Sequence, residues 1–253
     1  MKTLFQLILK CILAFSMFAA LLVSLSDEHK AKMKYEMMAF LFKANAETQT
    51  ASIEVQSAET LQSKPLRIYL YNTHQSEEYI DGITIFEVTE ILAQLLESAG
   101  FEVVFERADF LEELQKQNKK YNQLYSISRM HLQEALIHDG PFDLIIDVHR
   151  DSASRIVSVL EHEGVSYARL MFVIGEKSIN ANHVRTASIS FSDKMNQRLS
   201  GIMREPFSRQ SEYNQGVADN ILLLEVGSDQ NTSSEAIRSL RVLVEMLKEE
   251  GWS

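Results

Sequence analysis

The chain has a single cysteine, Cys11, among its 253 residues. One cysteine excludes an intrachain disulfide and any zinc site built from cysteine thiolates. Three prolines and nine glycines exclude collagen-like and proline-rich low-complexity chains. Basic residues are also in deficit, 25 against 35 acidic ones, and the net charge of −10 argues against a general nucleic-acid binder. What remains is an ordinary globular composition, in which histidines and carboxylates have to hold any metal ion.

The N-terminal segment is strongly hydrophobic. Residues 11–25 carry no charge, and Lys2 and Lys10 precede them. A basic start before an apolar run is typical of a signal peptide, and the whole stretch is also about long enough to span a bilayer. Residues 1–26 are therefore predicted to be a signal-anchor or transmembrane segment, with the rest of the chain outside the cytoplasm. Whether this segment is cleaved stays open.

A polar region separates this segment from the rest of the chain. Residues 27–64 are predicted to be a linker with a short helix. Beyond it, hydrophobic runs alternate with segments of helical spacing, which is typical of an α/β domain. Residues 65–253 are predicted to form one mostly parallel sheet flanked by helices. The predicted strands are 66–71, 101–105, 142–148 and 221–226, with a hairpin of 156–160 and 168–174; the predicted helices lie within 85–99, 107–138, 180–202 and 234–249.

Chemically capable side chains lie at the ends of three predicted strands. His74 and Glu77 follow the first strand, His149 follows the strand 142–148, and Glu225 lies near the end of the last strand. Ligands of such sheets bind at the carboxyl ends of the strands, so these side chains are expected to converge. Two histidines and one carboxylate are a standard catalytic zinc set that leaves a position for water. The sequence therefore predicts a zinc site of His74, Glu77 and His149.

The neighbouring acidic residues have separate predicted roles. Glu225 is predicted to be the general base, which takes a proton from the attacking water and passes it to the leaving amine. Asp147 or Asp151, two residues on either side of His149, is predicted to orient its imidazole. Such chemistry needs no nucleophilic serine or cysteine.

Five ordered blocks of the sequence resemble the stage II sporulation protein P family of endospore-forming bacteria, across about residues 66–249. The blocks are IYLYNTHQSE (68–77), DVHRDS (147–152), SYAR through VIG (166–175), YNQ (213–215) and LLLEVG (222–227) followed by Asn231-Thr232. The resemblance implies a zinc-dependent N-acetylmuramoyl-L-alanine amidase with the amidase-3-like α/β fold. An endopeptidase activity on peptide cross-links is also ascribed to the family. It further implies a membrane-anchored enzyme of engulfment, whose partners are a sporulation lytic transglycosylase and a polytopic membrane protein.

The resemblance also implies roles for individual residues. His74 and His149 match the zinc histidines of the family, and Glu225 matches its essential late glutamate. Glu77 matches the glutamate of the His-x-x-Glu block and is assigned as the carboxylate ligand. Related amidases take this carboxylate from further along the chain, so the alternatives are Asp81 and Glu87. The predicted substrate contacts are Arg150, Asn214 and Gln215.

Two other functions are compatible with parts of this pattern. A metallocarboxypeptidase also combines His-x-x-Glu with a distant histidine and a late glutamate, but the 189 residues from 65 to 253 are few for that fold. A non-catalytic wall-binding protein has no need for His74, His149 and Glu225 together. The chain is also short for the family, and this leaves substrate preference and partner docking open.

Overall fold

The computed structural model describes residues 64–250. The predicted membrane segment and the linker up to residue 63 lie outside the described residues. Within the described range, no helix is both long enough and apolar enough to cross a membrane.

A six-stranded sheet forms the centre of the described domain. Its strands lie in the order β2-β1-β3-β8-β6-β7, and a separate hairpin pairs β4 with β5. The strands are β1 (Arg67–Tyr71), β2 (Glu102–Phe105), β3 (Leu144–Asp151), β4 (Val159–His162), β5 (Val165–Ala168), β6 (Leu170–Gly175), β7 (Phe207–Arg209) and β8 (Ile221–Ser228). The helices are α1 (Ile85–Ser98), α2 (Phe110–Lys116), α3 (Leu124–His138), α4 (Arg155–Ser158), α5 (Ala181–Arg198) and α6 (Ser233–Glu250), with a 3₁₀ turn at Tyr121–Gln123.

The sheet is mixed, which corrects the prediction of a mostly parallel one. β1, β2, β3 and β8 run parallel, but β6 pairs antiparallel with β8, starting with Leu170 opposite Val226. The reason lies in the connection that follows β3. A strand parallel to its neighbour needs a crossover that carries the chain back to the end of the sheet at which the preceding strand began. Here only α4 and the hairpin intervene, so β6 starts at the carboxyl end of β8 and runs the other way.

The predicted hairpin forms, but both of its arms differ from the prediction: residues 156–158 belong to the short helix α4, and the first arm is β4. Its turn is Glu163-Gly164, as expected, and both residues have positive φ, which suits a two-residue turn. The second arm is β5, not residues 168–174, because a two-residue turn pairs His162 with Val165 directly. The chain then enters β6, whose residues are all buried, so that β6 belongs to the main sheet.

The two faces of the sheet are covered unequally. The side chains of Tyr69, Tyr71 and Ile145 pack under α2 and α3 in one hydrophobic core. The alternate side chains of the same strands face α1 and α6, and Phe172 of β6 packs against Phe191 of α5. On the first face, the small cluster of Met171, Val173 and Leu223 has Tyr213 packed against it. This arrangement leaves a cavity on the first face, at the carboxyl end of β3 and β8.

Candidate active site

A short loop after β1 carries His74 and Glu77 to the end of β3. The Asn72 amide donates hydrogen bonds to Thr89 Oγ1 and to the Val148 carbonyl, at 2.8 and 2.7 Å. Thr73 donates to the Asp147 carboxylate through its backbone N–H (2.9 Å) and its hydroxyl (2.7 Å). Asn72, Thr73 and Asp147 are all buried, and these bonds fix the direction in which the chain leaves β1.

His74, Glu77 and His149 form a cluster of potential metal ligands. One ligand atom from each residue lies within 4.8 Å of the others. His74 Nδ1 is 3.3 Å from Glu77 Oε1, and His149 Nδ1 is 3.7 Å from Glu77 Oε2. Two imidazoles and one carboxylate are a donor set that suits zinc. Residues 64–250 contain no second cluster of this kind.

Asp147 supports His149 from behind. His149 Nε2 lies 2.9 Å from Asp147 Oδ1, and both side chains are buried. The approach departs from the line of a regular hydrogen bond, so Nε2 has no well-aligned partner. Histidine ligands commonly place the ring nitrogen away from the metal against a carboxylate, which fixes the orientation of the ring. Asp151, the other predicted orienting residue, instead accepts a hydrogen bond from Arg204 at 2.7 Å.

The charges in the cluster stabilise one another. Burial opposes ionisation of Glu77, but hydrogen bonds from His149 and His74 outweigh it and hold the pKa of Glu77 well below its usual value. Burial likewise lowers the pKa of His149, but the negative charges of Asp147 and Glu77 outweigh it and raise that pKa well above its usual value. The electrostatic field that favours a proton here also favours a cation.

Glu225 lies beside the cluster on β8. It is the register partner of His149, and its Oε2 atom is buried without a hydrogen-bond partner in the described part of the chain. Burial, together with the negative charge of Glu77, raises the pKa of Glu225 to about 7 against the opposing effect of His149. A carboxylate with a pKa near neutrality can both accept and release a proton at physiological pH.

These groups open into one cavity of about 330 Å³. Its lining combines the predicted site with residues that sequence patterns missed, namely Tyr125, Met171, Val173, Arg204, Phe207, Arg209 and Leu223. The ring of Tyr125 lies 5.5 Å from that of His74 and also 5.5 Å from that of Tyr213. Tyr125 belongs to the first turn of a helix and Phe207 to a three-residue strand, so neither has a recognisable motif around it.

The profile of the family "Stage II sporulation protein P (SpoIIP)" matches residues 18–248. The chain belongs to the stage II sporulation protein P family. A curated SpoIIP relative, the stage II sporulation protein P of Bacillus subtilis (strain 168), is 28% identical over 204 residues. The match covers 73% of this chain and 51% of the relative, so the chain spans about half of the length of that protein.

Several solved structures superpose in part on this SpoIIP chain. The CwlD amidase of Clostridioides difficile, solved in complex with the GerS lipoprotein, is 12% identical with a TM-score of 0.48, covering 73% of this chain and 97% of CwlD. The catalytic domain of CwlV, an N-acetylmuramoyl-L-alanine amidase from Bacillus (Paenibacillus) polymyxa, is 13% identical with a TM-score of 0.40, covering 73% and 97%. A metallo-carboxypeptidase from Burkholderia cenocepacia is 13% identical with a TM-score of 0.42, covering 76% and 58%. TM-scores below 0.5 assign neither a reaction nor a residue role to this SpoIIP family member.

The alternative carboxylates Asp81 and Glu87 are engaged elsewhere. Glu87 closes a capping box at the start of α1, where its Oε2 accepts from the N–H of Thr84 at 2.8 Å. Asp81 accepts from the backbone N–H and hydroxyl of Ser233 at the start of α6. The structure therefore brings Glu77, and neither alternative, to the two histidines. The backbone N–H of Arg150 also donates to Glu77 Oε2 at 3.1 Å and helps to hold it there.

The three predicted substrate contacts occupy different places. Arg150 is half-buried, and its guanidinium donates to the carbonyls of Glu78 and Asp151. Asn214 is buried and donates to Ser128, while Gln215 is buried between the N–H of Gly175 and the carbonyl of Val173. None of the three lines the 330 Å³ cavity. Asn214 and Gln215 instead hold the turn that carries Tyr213 into the cavity, and their roles as substrate contacts stay predictions.

Proposed function

We propose that the chain is a zinc-dependent peptidoglycan hydrolase of sporulation, which cleaves the amide bond between N-acetylmuramic acid and L-alanine. One observation carries this proposal: a His-Glu-His cluster and a buried carboxylate with a raised pKa open into the same cavity. Membership of the SpoIIP family supports the cell-wall substrate and the sporulation setting.

His74, Glu77 and His149 are the residues that would hold the ion. A bound Zn²⁺ makes a neighbouring water more acidic and polarises a carbonyl group. Asp147 keeps the ring of His149 in place through the 2.9 Å contact with Nε2. Thr73 in turn holds Asp147 with two hydrogen bonds, so the orientation is set before any substrate arrives.

Glu225 is the proposed proton carrier. Its carboxylate takes a proton from the attacking water as the water oxygen adds to the carbonyl carbon of the lactyl group. The same proton then passes to the alanine nitrogen as the carbon–nitrogen bond breaks. The products are the free lactyl carboxylic acid on the sugar and the free amine of the stem peptide. The buried, unpaired Oε2 atom and the pKa near 7 suit both transfers.

The cellular setting is part of the same proposal. Residues 1–26 would anchor the chain in the membrane, or direct its secretion, with the catalytic domain outside the cytoplasm. The sporulation lytic transglycosylase and the polytopic membrane protein remain proposed partners, on the basis of the family resemblance. Endopeptidase activity on cross-links is a further proposed activity of the same site, because both bonds are amides.

Digestion of purified peptidoglycan tests the function directly. The purified full chain is incubated with peptidoglycan in the presence of zinc or of a chelator, and the released products are analysed by mass spectrometry. Free alanine amines on intact stem peptides, formed only with zinc, are the expected result. New amines within cross-links would demonstrate the endopeptidase activity, and their formation without any free alanine amines would contradict the amidase assignment. Equal release with chelator would contradict a metal-dependent reaction.

A further inference from the structure

We propose that Arg209 is a specificity-determining residue that binds a free carboxylate on the peptide part of the substrate. This inference rests on the proposed function, because it takes the scissile amide to lie at the His74–Glu77–His149 cluster. It adds to that function a direction for the bound peptide and a chemical preference that the metal cluster alone does not supply.

Arg209 is an exposed residue of the cavity lining, and its guanidinium carries a charge that no ion pair neutralises among the described residues. It lies over the ring of Phe207, with 4.8 Å between Cζ and the ring centroid. Among the side chains that the structure describes, it has no carboxylate within ion-pair distance. Arg204, the other arginine of this lining, is paired with Asp151 at 2.7 Å. Arg204 is therefore already neutralised, whereas the charge of Arg209 is available to a ligand.

Phe207 and Arg209 share one face of β7. Side chains alternate along a strand, so these two residues face the cavity, whereas Ser208 faces Arg185 of α5 on the other side. An aromatic ring under a guanidinium restricts its position and leaves its N–H groups free at the edge. A guanidinium held in this way is prepared to bind a carboxylate with two parallel hydrogen bonds.

An apolar floor connects the metal cluster to Arg209. Met171 and Val173 of β6 and Leu223 of β8 lie between them and line the same cavity. Three strand spacings separate β3 from β7, and Arg209 pairs with Gly175, four residues along β6 from the row of Met171, Glu225 and His149, so the two ends lie roughly 20 Å apart along the backbone lattice. The side chains at both ends shorten this gap, and an extended peptide spans the remainder in about three to four residues.

The positions of the free carboxylates in the substrate determine which part of the substrate Arg209 can bind. N-acetylated sugars near the scissile bond are neutral, and the lactyl carboxyl group is itself tied up in the amide. The free carboxylates belong to the stem peptide, beyond its first residue. A cation at the far end of the apolar floor therefore orients the peptide across β8 and β6 towards β7.

Arg209 also lies on an edge strand, where a charged side chain discourages pairing with another sheet. That role requires only an exposed charge, so it predicts no difference between substrates. A substrate preference for a free carboxylate, lost with Arg209, separates the two roles.

The test compares pairs of soluble muropeptides that differ in one group. In one pair the free carboxylate of the second peptide residue is replaced by a carboxamide, and in the other pair that of the third residue. The full chain and its R209Q, R209K and R185Q variants are assayed with each compound. Arg185 provides the matched control because it lies across β7 from Arg209 and is paired with Glu176.

The wild-type chain is expected to prefer one free carboxylate by about 10- to 100-fold in kcat/KM, as for a charge-assisted hydrogen bond. R209Q should lose this preference and cleave the carboxylate substrate about as slowly as the carboxamide. R209K should retain part of the preference, and R185Q all of it. A preference that survives in R209Q, or a wild-type chain without preference in either pair, overturns the proposal.

Binding measurements separate this proposal from the proposed function. Calorimetric titrations of the same muropeptides into the chain with chelator present need no hydrolysis. Tighter binding of the free carboxylate by the wild type but not by R209Q supports the role of Arg209 even if no bond is cleaved. Absence of binding, or equal binding of both compounds by the wild type, overturns it whatever the outcome of the hydrolysis assay.

Discussion

Glu225 of β8 lies directly opposite His149 of β3, and one of its carboxylate oxygens is buried with no hydrogen-bond partner among the described residues. Leaving a buried polar atom unpaired costs free energy, so such atoms are rare unless a function retains them. The parallel register places this unpaired oxygen beside a potential metal ligand. An interior carboxylate with a pKa of about 7 in that position matches the requirements of a general base.

Replacing Glu225 with Gln is expected to reduce hydrolysis about 10²- to 10⁴-fold, the usual contribution of a general acid–base group. Zinc should stay bound, since the three ligands are untouched. Peptidoglycan release and metal content are measured on the same preparation. Glu176→Gln removes a carboxylate paired with Arg185 outside the cavity and should leave both quantities unchanged. Wild-type activity of Glu225→Gln would rule out its assignment as the base.

Glu77 and Glu87 are expected to respond in opposite ways to substitution by Gln. Glu77→Gln should weaken zinc binding by more than the roughly 10- to 100-fold cost of losing an outer-sphere partner. Glu87→Gln should leave zinc affinity unchanged and lower the free energy of unfolding by only about 0.5 kcal/mol, because the glutamine oxygen can still accept from the Thr84 N–H and only the negative charge in the first turn of α1 is lost. Zinc titration against a competing chelator and urea unfolding measure the two effects. Loss of zinc affinity in Glu87→Gln would instead identify it as the ligand.

Asp147→Asn tests the support behind His149. The amide keeps the size of the side chain but removes the charge that faces Nε2, so zinc affinity is expected to fall about 10- to 100-fold. Asp151→Asn is the matched comparison, because that carboxylate pairs with Arg204 and not with the histidine. A fall in zinc affinity that is equal in both variants would show that the net charge of the cavity matters, and not the specific contact.

The start of α6 provides a test of stability against pH. Arg155, Asn231 and the N–H of Thr232 all donate to the Glu235 carboxylate. Burial opposes its ionisation, but these donors outweigh burial and lower its pKa to about 2. In the unfolded chain the pKa is about 4.3. The stabilising contribution is therefore complete above about pH 5 and is lost as the pH falls from about 4 to 2.

Glu235→Gln should accordingly lower the free energy of unfolding by about 2 kcal/mol at pH 7, and by progressively less below about pH 4. Urea unfolding at several pH values measures the difference between the two chains. Glu97→Gln, an exposed substitution late in α1, controls for the loss of one negative charge. A difference for Glu235→Gln that stays constant down to pH 2 would contradict the lowered pKa.

Substitutions at Gly227 and Gly82 distinguish backbone strain from steric overlap. Both have positive φ, but a Cβ atom at Gly227 would lie 2.8 Å from the Ala168 Cβ and from Asn231 Oδ1, whereas one at Gly82 meets nothing within 4 Å. Gly82→Ala is expected to cost about 1 kcal/mol for the backbone conformation alone. Gly227→Ala should cost about 2–4 kcal/mol, because steric overlap adds to that strain. Thermal unfolding compares them, and equal losses would show that the neighbours of Gly227 adapt.

Much of the fold follows from local patterns in the sequence. The buried runs in β3 and β8 and the spacing of apolar residues in α1 predict these elements within a few residues. Burial of one face of a helix, or of a whole strand, requires apolar residues at a spacing that is visible in the local sequence. β7 has only three residues, all exposed, and no hydrophobic pattern marks it. The direction of β6 was also missed, since strand direction depends on how the preceding segment connects and not on the composition of the strand.

The amino-acid composition and the order of the residues set which side chains are available for chemistry. With one cysteine, metal chemistry has to use His and Glu, and the ends of β1, β3 and β8 supply His74, His149 and Glu225. The folded arrangement was needed to see that Glu77, and not Asp81 or Glu87, lies beside the two histidines, because these three carboxylates are close in sequence but have different partners. It also brought Arg209 into the cavity, since register across the sheet joins residues that no sequence spacing relates.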